Sequence, residues 1–282
     1  RLLADRFNVL QMGMVGSSRV FKVLDTKEQI ENNAKVVEKE FKGDIAFKDV
    51  WFAYNEPTYV LKGINFSLSP GETVAFVGAT GAGKSSIINL LSRFYEYQKG
   101  EIIVDGDELR DIDIDLIREN VAVVLQDVFL YSDTVLNNIT LGDHSISREK
   151  VIEASKQVGA HEFIMSLPEN YNFVVGERGG MLSVGQRQLI SFIRAYVYNP
   201  SILILDEATS SIDTESEELI QLAIEKLTEG RTSIIIAHRL STISKADKII
   251  VMDQGEIIES GSHQELLSLD GPYKKLFDIQ YK

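Results

Sequence analysis

The feature that most constrains this chain is an eight-residue stretch, Gly78-Ala79-Thr80-Gly81-Ala82-Gly83-Lys84-Ser85. It directly follows a continuous apolar run over 72–77 that ends at Val77, and it precedes a helix expected over 84–94. Glycine, four residues, glycine, lysine and then serine or threonine is the phosphate-loop pattern. Glycines let the backbone curl until its N–H groups converge on a phosphate, and the following helix adds its positive N-terminal end. Lys84 then reaches the outer phosphates, and the Ser85 hydroxyl can ligate magnesium. The bland alternative is a glycine-rich strand-to-helix turn without a ligand, which the flanking strand and helix patterns disfavour.

Around this loop the chain reads as strands alternating with helices. Residues 44–54 alternate like a half-buried strand and 59–68 form a second. Further buried strands are expected over 121–125, 202–205 and 232–237, and 249–252 and 256–259 flank an Asp-Gln-Gly turn as a hairpin. Helices are expected over 148–158, 184–198 and 214–227. This order implies an α/β fold with a mostly parallel sheet core, some antiparallel strands, and a helical subdomain inserted at about 127–200, where no strand pattern appears. Residues 1–25 read as one more helix, with an apolar seam of Leu3, Phe7, Leu10, Met14, Phe21 and Leu24. An ordinary amphipathic helix packed on its own domain is the simplest account. The charged stretch 26–42 that follows favours a helix tethered to the domain at 43–282 by a linker.

Leu205-Asp206-Glu207 ends the apolar run 202–205, so both carboxylates are expected at the carboxyl edge of a parallel strand, where ligands of such sheets bind. Asp206 suits a magnesium carboxylate, and Glu207 suits the group that orients and deprotonates an attacking water. A helix-capping role is the alternative for Asp206. The formal net charge of −13 disfavours a broad nucleic-acid surface, because that binding depends on Lys and Arg neutralising phosphates. No apolar stretch approaches the roughly 20 residues that span a bilayer.

From residue 44 onward the chain resembles the ATP-binding cassette ATPases, a branch of the P-loop NTPases, at several separate motifs. The resemblance implies ATP and Mg2+ as ligands, held by Tyr54, Gly78, Ala79, Thr80, Gly81, Ala82, Gly83, Lys84, Ser85, Ser86, Gln126 and Asp206, with Ser85, Gln126 and Asp206 at the metal. Tyr54 is similar to the family's adenine-stacking aromatic. Gln126 resembles the glutamine that touches magnesium or the lytic water, and His238 in Ala237-His238-Arg239 resembles the histidine that bonds the γ-phosphate. Catalysis would then rest on Glu207, His238, Lys84 and Gln126. Leu182-Ser183-Val184-Gly185-Gln186 resembles the family's signature, in which Val184 replaces the usual glycine. In the family this segment acts across a dimer, so Ser183, Gly185 and Gln186 would meet the nucleotide held by a second cassette domain. Ser211-Ile212-Asp213 resembles the segment that links the two sites.

Val184 leaves two readings open. It is a neutral variant in a homodimer, or one half of a heterodimer whose partner has an ordinary signature and lacks the glutamate. Val175-Gly176-Glu177-Arg178-Gly179-Gly180 resembles the segment that marks exporters. An exporter reading implies that residues 1–25 are the cytoplasmic end of a transmembrane-domain helix fused N-terminally, that the cassette lies at the cytoplasmic face of the cell (inner) membrane, and that residues near 127–138 form a groove for that domain. Rival readings are a cassette ATPase outside transport, which would predict a coiled-coil insertion or a tandem cassette, and a nucleotide-gated dimerisation module with little turnover.

Overall fold

A computed structural model describes residues 2–26, 30–206, 214–237 and 239–281, and divides the chain into two compact units, 1–31 and 32–282. In the first unit α1 (Leu2–Asp25) carries exposed apolar side chains, among them Phe7, Leu10, Met14, Phe21 and Leu24. Among the described residues no helix is long and apolar enough to cross a membrane.

The second unit holds two sheets. β1 (Ile45–Phe52), β2 (Leu61–Leu68), β4 (Lys99–Val104) and the short β5 (Asp107–Glu108) form an antiparallel sheet in the order β2-β1-β4-β5. β3 (Thr73–Val77), β6 (Val121–Val124), β7 (Ile202–Asp206), β8 (Thr232–Ile236), β9 (Lys248–Asp253) and β10 (Glu256–Gly261) form the second sheet, in the order β10-β9-β3-β8-β7-β6. Every pairing in it is parallel except β9 with β10, whose turn has Gln254 and Gly255 both at positive φ, 47° and 85°. Positive φ at both central residues is what a tight hairpin with right-handed strand twist requires.

Side chains of the parallel strands alternate between two cores. Val74 and Phe76, Ile202 and Ile204, Ile234 and Ile236, and Ile250 and Met252 join the antiparallel sheet, together with Ile87, Ile88, Leu90 and Leu91 of α2 (Lys84–Leu91) and Ile117 of α3 (Ile114–Asn120). Ala75 and Val77, Leu203 and Leu205, and Ile249 and Val251 face the other way. There they pack with α4 (Val135–Thr140), α5 (Arg148–Gln157), α6 (His161–Met165), α7 (Val184–Tyr198), α8 (Thr214–Thr228), the short α9 (Leu240–Ile243), and two C-terminal helices, α10 (His263–Ser268) and α11 (Pro272–Tyr281). The result is a three-layer unit with the parallel sheet in the middle.

The span 127–200 is helical, apart from an isolated bridge between Thr134 and Val174 among its described residues. The expected helix 84–94 stops at Leu91, and Arg93 turns back with φ 47° and donates to Ile112 O at 2.7 Å. The stretch expected as a linker divides at residue 31. From Asn32 it lies along the second unit: Val36 bridges Ile112, Lys35 N and Val36 N donate to Asp111 O at 2.7 and 2.9 Å, and Phe41 is buried. Asp105, at φ 51°, closes this strap by accepting from the backbone N–H groups of Lys42, Gly43 and Asp44 at 2.9, 3.2 and 2.9 Å. Asp105→Ala leaves three donors without that acceptor and should cost about 2 kcal/mol. Thermal melting checks this: the expected drop in Tm is roughly 5 °C, and an unchanged Tm would show the strap to be held by other contacts.

Candidate active site

The phosphate-loop stretch joins β3 to α2, and backbone geometry explains its glycines. Gly78 sits at φ 150°, and a Cβ there would lie 2.2 Å from Met252 O on β9. Gly83, at φ 103°, immediately precedes α2, and a Cβ there would lie 2.8 Å from Leu61 Cδ2. The loop is held through Ala82, whose N–H donates to Ala79 O at 3.1 Å and whose C=O accepts from Gly255 N at 3.1 Å. The Ala82 side chain itself belongs to the core shared with the antiparallel sheet.

Lys84 is buried, and its Nζ donates back into the loop, to Gly78 O at 2.8 Å and Ala79 O at 3.0 Å. Desolvation lowers its pKa, and the nearby Asp206 carboxylate opposes that shift. Asp206 is the last residue of β7, in register with Ile236 of the adjacent β8.

These residues share one cavity of about 560 Å3 at the carboxyl end of the parallel strands. Tyr54, Thr80, Gly81, Gly83, Lys84, Ser85, Ser86, Gln126 and Asp206 line it, with Val60 and Ile236, which sequence reasoning did not single out. Its volume suits a small organic ligand. Among the described residues Lys84 and Asp206 are its charged lining. The hydroxyl of Ser85, the amide oxygen of Gln126 and the carboxylate of Asp206 are hard oxygen donors of the kind Mg2+ accepts alongside substrate phosphates. Glu207, His238 and the 211–213 segment lie outside the described residues.

Ser183, Gly185 and Gln186 do not line this cavity. They form the start of α7 as a reciprocal cap: Ser183 Oγ accepts from Gln186 N at 3.2 Å, and Gln186 Oε1 accepts from Ser183 N at 3.0 Å. Val184, the first residue of α7, is not among the residues with positive φ, so the β-branched side chain carries no left-handed strain. Ser183→Ala removes the cap at a cost of about 1 kcal/mol. A Tm lowered by roughly 3 °C in the absence of nucleotide is the expected readout, and no change would mean that the cap is dispensable.

A second cavity, of about 780 Å3, opens between the β6 end of the parallel sheet and the helical region. Val128, Phe129, Tyr131, Leu141, Arg194 and Tyr198 are among its lining residues.

Residues 61–210 match the family described as ABC transporter. The chain is 46% identical over 278 residues to the probable multidrug resistance ABC transporter ATP-binding/permease protein YheH of Bacillus subtilis, covering 99% of this chain and 41% of the relative. It is 45% identical over 276 residues to the ATP-dependent lipid A-core flippase of Syntrophus aciditrophicus, covering 98% of this chain and 46% of the relative. A solved structure of a bacterial Atm1-family ABC exporter with ATP bound superimposes with a TM-score of 0.87 at 36% identity, covering 98% of this chain and 48% of that one. The chain thus spans less than half the length of each of these three proteins.

Proposed function

This chain belongs to the ABC transporter family and has the fold of its nucleotide-binding domain, and we propose that it is the ATP-hydrolysing motor of a membrane exporter. One observation carries the reading: the phosphate loop, Tyr54, Gln126 and Asp206 meet in a single cavity at the carboxyl edge of the parallel sheet.

In this mechanism Tyr54 stacks on the adenine, while loop N–H groups and Lys84 hold the phosphates. Ser85, Gln126 and Asp206 would hold Mg2+, which would supply positive charge against the phosphate oxygens. Glu207 orients the attacking water and takes its proton. Lys84 and His238 stabilise the charge that spreads over the transferring phosphoryl group, at no reorganisation cost if they are already in place. A second cassette domain contributes its Ser183, Gly185 and Gln186 to the γ-phosphate from the start of α7. The unstrained backbone at Val184 supports a signature that tolerates valine, and hence a homodimer.

The 780 Å3 cavity at the helical region is the groove we assign to a transmembrane domain fused N-terminally, with the cassette at the cytoplasmic face of the membrane. Relatives more than twice the length of this chain support that assignment. Closing and reopening of the cassette pair then drives the membrane domain.

The test is Mg2+-dependent ATP hydrolysis by this chain, measured against protein concentration with light scattering in ATP. Turnover that rises more steeply than in proportion to concentration, with an ATP-dependent dimer, is the expected result. A chain that stays monomeric and inactive until a second cassette is added would overturn the homodimer. Failure to bind ATP would overturn the reading altogether.

A further inference from the structure

We propose that Asn89 and Tyr95 are positioning residues for the nucleotide base, acting through Tyr54. Neither lines the cavity, yet both hold the one aromatic ring that does among the described residues. Asn89 Nδ2 donates to Tyr54 Oη at 2.8 Å, and the same phenolic hydroxyl shares a hydrogen bond with Ser86 Oγ at 3.2 Å. Ser86 and Asn89 stand three residues apart on α2 and so present to the same side.

Tyr95 meets Tyr54 at 4.8 Å with the rings 89° apart, and buried Phe52 meets it at 4.6 Å and 76°, both edge-to-face arrangements. Behind the ring, the Gln98 amide pairs with both backbone groups of Ala53, accepting from its N–H at 2.8 Å and donating to its C=O at 3.0 Å. The platform is therefore fastened to α2, the helix that begins at Lys84, and α2 fixes the spacing between base and phosphates. A ring already held in place loses little freedom when the base arrives, so its fastening raises affinity without touching the ligand.

The inference rests on Tyr54 being the base platform, and the experiment separates the two. Calorimetric titration of this chain in Mg2+ would compare ATP with inorganic tripolyphosphate, which has phosphates and no base. Tyr95→Ala and Asn89→Leu are each expected to weaken ATP about five- to tenfold while tripolyphosphate changes less than about twofold, and Tyr95→Phe should restore ATP binding. Should Tyr95→Ala fail to fold, Asn89→Leu carries the same test. Unchanged ATP affinity in the variants, or equal weakening of both ligands, would overturn the positioning role. Equal affinity of the wild type for ATP and tripolyphosphate would instead overturn Tyr54 as a base platform.

Discussion

Lys84→Met is expected to weaken ATP binding about a hundredfold while leaving the fold intact. The Lys84 ammonium is held by Gly78 O and Ala79 O at 2.8 and 3.0 Å, within the loop proposed to hold the phosphates. Methionine keeps a stem of similar length in this buried site and removes only the charge and its hydrogen bonds. A charged hydrogen bond to phosphate is worth about 1.5–3 kcal/mol, and the upper part of that range corresponds to two decades in Kd. Stability should move differently. Burial already lowers the lysine pKa, so the folded protein holds this cation against a desolvation cost, and relief of that cost should offset the two lost hydrogen bonds and leave Tm near the wild-type value. A variant with normal Tm and normal ATP affinity would remove Lys84 from the site.

Glu207→Gln is expected to lower turnover about 10²–10⁴-fold, the range that general-base catalysis contributes, while ATP affinity stays within a few-fold of wild type. Asp206 ends β7 inside the cavity, and Glu207 is the next residue in the chain. Glutamine preserves size and can still accept a hydrogen bond from water, but it cannot take the proton. ATP should then persist between two cassettes, so light scattering would report a stable dimer in the variant and a transient one in the wild type. Asp206→Asn separates the neighbouring roles, because losing the carboxylate proposed to hold the metal should weaken Mg2+-dependent ATP binding itself. Full turnover in Glu207→Gln would assign the base elsewhere.

The glycine-rich loop was legible in the sequence because its pattern is contiguous, although the close approaches that require Gly78 and Gly83 come from Met252 O and Leu61 elsewhere in the chain. The parallel strands were legible as continuous apolar runs, since both their faces are buried. β4 escaped notice because it opens with exposed Lys99, Gly100 and Glu101, leaving only Ile102 and Val104 buried. The strap from Asn32 escaped for another reason. Its anchors are mostly backbone groups, the Asp105 carboxylate and ion pairs of Lys35 and Lys39, and its core contacts, Val36 and Phe41, are too few to set an apolar period in the chain. Asn89 and Tyr95 could not be singled out, because their role depends on Tyr54 being brought to them from 35 and 41 positions away, a distance that folding closes and sequence does not display.

The alternation of the central sheet between two cores constrains how this protein can change over time. Ile204 and Leu205 are neighbours in the chain yet belong to separate clusters, whereas Ile204 shares a cluster with Phe52, and Leu205 with Ile190. Substitutions without shared partners combine additively, and those sharing a packed cluster do not. Epistasis should therefore run across the layers of one core and skip between adjacent residues of a strand. Compensating changes for a substitution at Ile204 should arise within the core it shares with the antiparallel sheet, in distant parts of the chain, while Leu205 drifts independently beside it.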